Sequence, residues 1–158
     1  VGGLGQFGLQ MALIRGCEVH ATDVSPDARE LAKELGAHKV YDSILDMKEA
    51  ELDVIVDFAG FGQTTADAVA AVKREGTVVI VGMGKLESNI NTYEMITKEV
   101  KLLGSNGGSV EDLQGVYDIF ATGKMNPTLV TIPFEEIDKG LEKLKRHEVK
   151  GRLVAVFE

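Results

Sequence analysis

Cysteine occurs once, as Cys17, so no disulfide framework can form within the chain, and a reducing cytoplasm is the simplest setting for it. Basic residues are outnumbered: 17 lysines and arginines face 25 aspartates and glutamates, a formal net charge of −8. That deficit argues against nonspecific binding to nucleic acid or to an anionic membrane. No apolar run approaches the roughly 20 residues of a membrane-spanning helix, and a secretory leader is not expected. Low-complexity tracts are missing too. The histidines, His20, His38 and His147, are scattered, and neither they nor Cys17 show zinc-ligand spacing. What is left is a chain of 158 residues, 44% hydrophobic and 27% charged, with room for one full domain, or a domain and an appendage, around a substantial core.

The sequence opens on Gly3-Leu4-Gly5-Gln6-Phe7-Gly8, a GxGxxG pattern running into a helical stretch. Alone, the pattern occurs in many loops; its surroundings make it specific. Phe7, Met11 and Ala12 sit at helical spacing, Gly16 stands where the helix stops, and a short strand from Glu18 to Thr22 ends in Asp23. Asp23 lies twenty residues after Gly3, the offset of a carboxylate on an adenosine ribose. Gly3 permits a tight turn, Gly5 has no Cβ to block a pyrophosphate, and Gly8 allows close packing of the helix. The amides of Gln6 and Phe7 are expected to face the phosphates, at the positive end of the helix dipole.

Ser25-Pro26-Asp27 reads as a helix start, with Ala28, Leu31, Ala32 and Leu35 as its apolar stripe and Gly36 as its end. A strand at 39–42 and a polar connection precede 53–58, whose apolar core is continuous and predicts a strand buried on both faces. Thr64 or Thr65 is expected to cap the next helix. Strands at 77–81 and 100–103 flank a short helix near 93–98; beyond Gly104 come a loop, a helix at 111–122, an extended 129–132, a helix with Ile137, Leu141 and Leu144, and a strand at 153–157. The rhythm predicts an α/β fold, a doubly wound parallel sheet of the Rossmann kind with its first strand largely missing from this chain. The expected division is a nucleotide-binding domain at 1–104 and a carboxy-terminal segment at 105–158. A chain without that central strand is expected to be a fragment whose empty slot another segment or molecule fills.

Several further stretches fall in register: Glu34-Leu35-Gly36-Ala37, Val56-Asp57-Phe58-Ala59-Gly60, Val79-Ile80-Val81-Gly82, Leu103-Gly104-Ser105 and Gly151-Arg152-Leu153-Val154. Together with the glycine turn and Asp23-Val24, the chain resembles, over essentially its whole length, the carboxy-terminal portion of zinc-type alcohol dehydrogenases of the medium-chain dehydrogenase/reductase family. The resemblance implies NAD as cofactor. Gly3, Gly5, Gln6, Phe7 and Gly8 match the pyrophosphate loop, Asp23 the ribose carboxylate, and Val24 the residue beside the adenine. Phe58, Ala59 and Gly60 match the segment bordering the adenosine; Val81, Gly82 and Met83 match the one meeting the nicotinamide carboxamide; Arg152 matches an arginine that reaches the pyrophosphate. The family often carries lysine where Ala28 stands, and Arg29 is the nearest replacement.

The resemblance also implies zinc in the parent protein, with its ligands and the proton relay upstream of the glycine turn, so that this chain holds no catalytic residue and is expected to be inactive alone. It implies a small alcohol or carbonyl substrate and a homo-oligomer, a dimer or tetramer, pairing near Ser88 to Asn91. The segment after Gly104 would return to the absent catalytic domain and leave an apolar face partly uncovered. A carboxylate about 4 Å from a 2′-phosphate costs roughly 4 kcal/mol at an effective dielectric of about 20, which favours NAD over NADP. Alternatives are a zinc-free quinone or enone reductase of the same family, a noncatalytic nucleotide-sensing Rossmann module, and a methyltransferase-type nucleoside binder.

Overall fold

A computed structural model describes residues 1–157, the side chains of Lys48 and Glu49 excepted. In chain order the elements are α1 (Gly5–Ile14), β1 (His20–Thr22), α2 (Pro26–Glu34), β2 (Lys39–Tyr41), β3 (Val54–Asp57), α3 (Gln63–Ala71), β4 (Thr77–Ile80), α4 (Thr92–Lys98), β5 (Lys101–Gly104), α5 (Val110–Ala121), β6 (Leu129–Pro133), α6 (Ile137–Lys145) and β7 (Arg152–Val156). A 3-10 helix, Ile44–Ala50, occupies the stretch expected to be a polar connection, and buries Met47. The chain forms two compact units, Val1–Val40 with Leu113–Glu158, and Tyr41–Asp112. Among the described residues no helix is long and apolar enough to cross a membrane.

In the first unit β1 pairs with β2, and β6 runs parallel to β7 with Leu129 opposite Arg152. Leu9, Ala21 and Ala32 form a small core. The helix punctuation is as the sequence suggests. Ser25 Oγ accepts from the Ala28 amide at 3.4 Å ahead of Pro26, and Gly16, at φ 80°, ends α1. The buried side of α1 differs from the expected Phe7, Met11 and Ala12: it is Gly5, Gln6, Leu9 and Gln10. Two of these are glutamines, and their amides have partners that an apolar-periodicity argument does not register.

In the second unit β3, β4 and β5 form a parallel sheet in that order, with Val54 opposite Thr77 and Thr77 opposite Lys101. Ile55, Ala68, Val69, Ala71, Val72, Val78 and Val100 make its core, where α3 lies on one face of the sheet. That one-sided cover is why β3 alternates within the chain, with Val54 56% and Val56 42% exposed, where a strand buried on both faces was expected. Each strand of this sheet follows a glutamate in the left-handed region: Glu51 (φ 50°), Glu75 (φ 60°) and Glu99 (φ 56°).

Candidate functional site

The glycine turn reaches its shape without left-handed glycines, since neither Gly2, Gly3 nor Gly5 has a positive φ. Leu4, already in the right-handed helical region, stands at the cap of α1. The Gln6 amide donates to Gly2 O at 3.2 Å and the Phe7 amide to Leu4 O at 3.0 Å. These amides are therefore engaged in the helix. The ones with no acceptor among the described residues are those of Gly3, Leu4 and Gly5, one turn earlier than the sequence suggested. They form the open, partially positive end of α1, where an anion is stabilised.

Asp23 closes the same turn. Its Oδ1 accepts from the Ser25 amide at 2.9 Å, and its Oδ2 meets the Val1 amino group at the start of the glycine segment. The side chain keeps 23% of its surface open. Val24 next to it is 88% exposed, an apolar rim. The Arg29 guanidinium donates to the carbonyls of Asp23 at 2.8 Å and Val24 at 3.0 Å, so the cation lies under the strand end that Asp23 terminates.

Gln6, whose side chain is completely buried, spans from the turn to a segment far along the chain. Its Oε1 accepts from the Thr128 amide at 2.8 Å and its Nε2 donates to Thr128 O at 3.3 Å. One turn on, Gln10 Oε1 accepts from the Asn126 amide at 2.8 Å. Thr128 O also accepts from the Arg152 amide at 2.9 Å. Gly151 holds φ 84°, and a Cβ there would stand 2.3 Å from Thr128 O. The result brings Arg152 to the glycine turn: its Nη1 lies 3.4 Å from where a Gly3 Cβ would be, and its guanidinium has no acceptor among the described residues. Sequence reasoning assigned Gln6 a backbone amide facing the phosphates and gave its side chain no role; the recurrence of glutamine at 6 and 10 was the available signal.

In the second unit the loops after β3 and β4 are joined backbone to backbone. A Cβ on Gly60, at φ 61°, would stand 1.9 Å from Gly82 O, and one on Gly82 would stand 2.4 Å from Phe58 O. The Lys85 amide donates to Gly60 O at 2.8 Å and the Gly84 amide to Ala59 O at 3.2 Å. Thus Phe58, Ala59 and Gly60 are brought against Val81, Gly82 and Met83. Asp57, 7% exposed, anchors the arrangement. Its Oδ1 accepts from the amides of Ala59 (3.0 Å) and Gly60 (2.9 Å), and its Oδ2 from the hydroxyls of Thr64 and Thr65, both at 2.8 Å. Its carbonyl accepts from the amides of Val81 and Gly82, both at 3.0 Å. The threonines expected to cap α3 serve Asp57 instead, and Gly62 takes the cap position.

Among the described residues no group of three or more His, Cys, Asp or Glu side chains converges on a point that could hold a metal. His20 Nε2 is 2.9 Å from Glu18 Oε1, and this hydrogen bond, together with the imidazole charge, lowers the Glu18 carboxyl below its ordinary value. His38 Nδ1 accepts from the Val19 amide at 3.0 Å. In the basic run near the carboxyl end, Lys145 pairs with Glu142 at 2.7 Å and Lys150 with Glu34 at 2.9 Å, the behaviour of a solvated charged face.

Comparison with known proteins gives a consistent picture. Residues 3–122 match the family described as "Zinc-binding dehydrogenase". A protein named alcohol dehydrogenase from Geobacillus stearothermophilus is 34% identical over 165 residues, covering 98% of this chain and 48% of that protein. One named D-arabinose 1-dehydrogenase (NADP(+)), from Saccharolobus solfataricus, is 29% identical over 98% of this chain and 47% of that protein. The chain thus spans about half the length of the curated relatives it matches. Among solved structures, acetophenone reductase from Geotrichum candidum in complex with NAD superposes with a TM-score of 0.90 at 32% identity, over 96% of this chain and 45% of that one.

Proposed function

The chain belongs to the zinc-binding dehydrogenase family, and from that premise we propose that it is the NAD-binding portion of an alcohol dehydrogenase. Bound NAD would supply the hydride acceptor, and zinc held by the rest of the parent protein would polarise the alcohol oxygen. The residues of this chain bind and orient. The observation that carries the reading is the Arg152 guanidinium, without an acceptor among the described residues, beside Gly3 at the amide-bearing end of α1 whose other border is Asp23. Arg152 and the amides of Gly3, Leu4 and Gly5 would neutralise the pyrophosphate, Gly5, Gln6, Phe7 and Gly8 would shape its floor, and Asp23 would accept from the ribose hydroxyls with Val24 against the adenine.

Within the second unit, Phe58, Ala59 and Gly60 would border the adenosine and Val81, Gly82 and Met83 would offer backbone to the carboxamide. The rigidity that Asp57 imparts suits such contacts, because an ordered backbone pays little ordering entropy on binding. Asp23 favours NAD over NADP through repulsion of a 2′-phosphate, although one relative's name specifies NADP(+). Titration calorimetry of the chain with each dinucleotide tests this. NAD is expected to bind at least about tenfold more tightly than NADP. No binding of either, or a preference for NADP, would refute the cofactor assignment.

The parent protein is proposed to oxidise a small alcohol, or reduce the carbonyl, in the cytoplasm and as a homo-oligomer. Residues 105–158 would return toward its catalytic part, and the stretch near Ser88 to Asn91 would meet a second copy. Sedimentation of the parent protein checks the assembly. An NADH absorbance assay with a panel of alcohols, run on the parent protein and on this chain, checks the chemistry: turnover is expected only from the former.

A further inference from the structure

We infer that the buried side chain of Gln6 is a positioning residue for Arg152, acting through the backbone of Thr128. This rests on the proposed dinucleotide site and gives the side chain of Gln6, whose backbone is assigned to the floor of that site, a separate role. Gln6 gives both of its amide functions to one residue: Oε1 takes the Thr128 N–H at 2.8 Å and Nε2 reaches Thr128 O at 3.3 Å. Of the residue types that fit this volume, only an amide can donate to the carbonyl and accept from the N–H at once. A hydrocarbon there would leave the Thr128 N–H without its acceptor and Thr128 O without one of its donors, on the side facing the fully buried Gln6.

The same carbonyl accepts from the Arg152 amide at 2.9 Å, and the left-handed Gly151 leaves no space for a Cβ between Arg152 and Thr128. Gln6 and Arg152 therefore share a single acceptor. Gln6 also belongs to α1 itself, the helix whose first turn carries the open amides. Its side chain thus sets the distance between the two sources of positive potential: the helix end and the guanidinium. Arg152 is exposed and long, so its own rotamers do not fix that distance. Gln10, bonded to Asn126 by its Oε1 and donating from its Nε2 to the Gln6 carbonyl at 3.3 Å, docks the same helix but makes no hydrogen bond to Thr128 or Arg152 among the described residues.

The test separates a diphosphate ligand from one without phosphate. The full chain and its Gln6→Met, Gln6→Asn, Gln10→Ala, Gly151→Ala and Arg152→Ala variants are titrated with ADP and with adenosine, each variant first checked for cooperative unfolding. Gln6→Met is expected to raise the Kd for ADP about fivefold to tenfold while leaving that for adenosine within about twofold. Gln6→Asn, which keeps an amide but not its reach, provides the same reading if the methionine variant fails to fold, and Gly151→Ala approaches Thr128 from the other side with the same selective loss. The double variant Gln6→Met/Arg152→Ala is expected to bind ADP no more than about twofold more weakly than Arg152→Ala alone. Gln10→Ala is expected to leave the ratio of the two constants unchanged.

Equal losses for ADP and adenosine, or additive effects in the double variant, would reduce Gln6 to a general packing residue and overturn the inference. So would an Arg152→Ala variant that loses ADP affinity while every Gln6 variant keeps it, and in that case the dinucleotide reading survives. If Arg152→Ala itself leaves ADP binding unchanged, the reading of Arg152 fails and the inference falls with it.

Discussion

Two ways of fixing a loop stand side by side in this chain. In the first unit the glycine turn is held by side chains, Gln6 on Thr128 and Gln10 on Asn126, with Asp23 on the Ser25 amide beside it, and Gly2 has open space around it. In the second unit the loops after β3 and β4 meet through backbone atoms, with Gly60 and Gly82 in contact and Asp57 beneath them. The difference lies in what a substitution must displace. A polar side chain that loses its partner can often recruit water, whereas a Cβ driven into a neighbouring carbonyl has to move the main chain. Glycine is therefore a packing requirement at Gly60 and Gly82, and at Gly2 it is not.

The sharpest break in this comparison is expected from Gly60→Ala. A Cβ 1.9 Å from Gly82 O, on a backbone at φ 61°, is expected to destabilise the second unit by about 3 kcal/mol or more, read from urea unfolding. Gly2→Ala, with nothing within 4 Å, is expected to stay within about 0.5 kcal/mol. Next in size is Asp57→Asn, which replaces one of two acceptor oxygens by a donor facing the amides of Ala59 and Gly60 or the threonine hydroxyls; a loss of about 1–3 kcal/mol is expected from the same measurement. Asp23→Ala is expected to cost the first unit little stability while weakening NAD about tenfold and NADP less, seen by calorimetry.

The smallest effect concerns the exposed Asp53 and its half-buried partner Lys73 in the second unit. Their hydrogen bond and charges lower the Asp53 carboxyl and raise the Lys73 ammonium from their ordinary values. The aspartate contribution is present above its unfolded value of 3.8 and is lost as pH falls through the lowered one. The lysine contribution is present below 10.5 and is lost as pH rises through the raised one. A Lys73→Met variant is therefore expected to differ from the parent across the neutral range and to converge with it at both extremes, as followed by thermal unfolding against pH.

The strand-helix rhythm was legible because it rests on local signals: Ser25 and Pro26 start a helix, Gly16 ends one, and Thr77 to Ile80 is a β-branched run. What escaped is long-range and polar. Gln6 and Thr128 are separated by 122 residues, and no periodicity within α1 announces that its buried face is an amide ladder. Thr64 and Thr65 carried a correct hydroxyl signal with the wrong recipient, since the nearest acceptor in space is the Asp57 carboxylate. The alternation of β3 was hidden for another reason: Val54 and Val56 are apolar although exposed here, and a sequence pattern reports what a face is made of, not what covers it.

The three glutamates that precede the strands of the second unit carry a separate implication. Glu51, Glu75 and Glu99 each keep a conformation that disfavours a β-carbon, at about 1 kcal/mol apiece. Asparagine reaches that region more easily. The second unit thus contains three independent points at which single-codon-scale engineering can harden its sheet against heat, a reserve for when substitutions elsewhere in that unit cost stability.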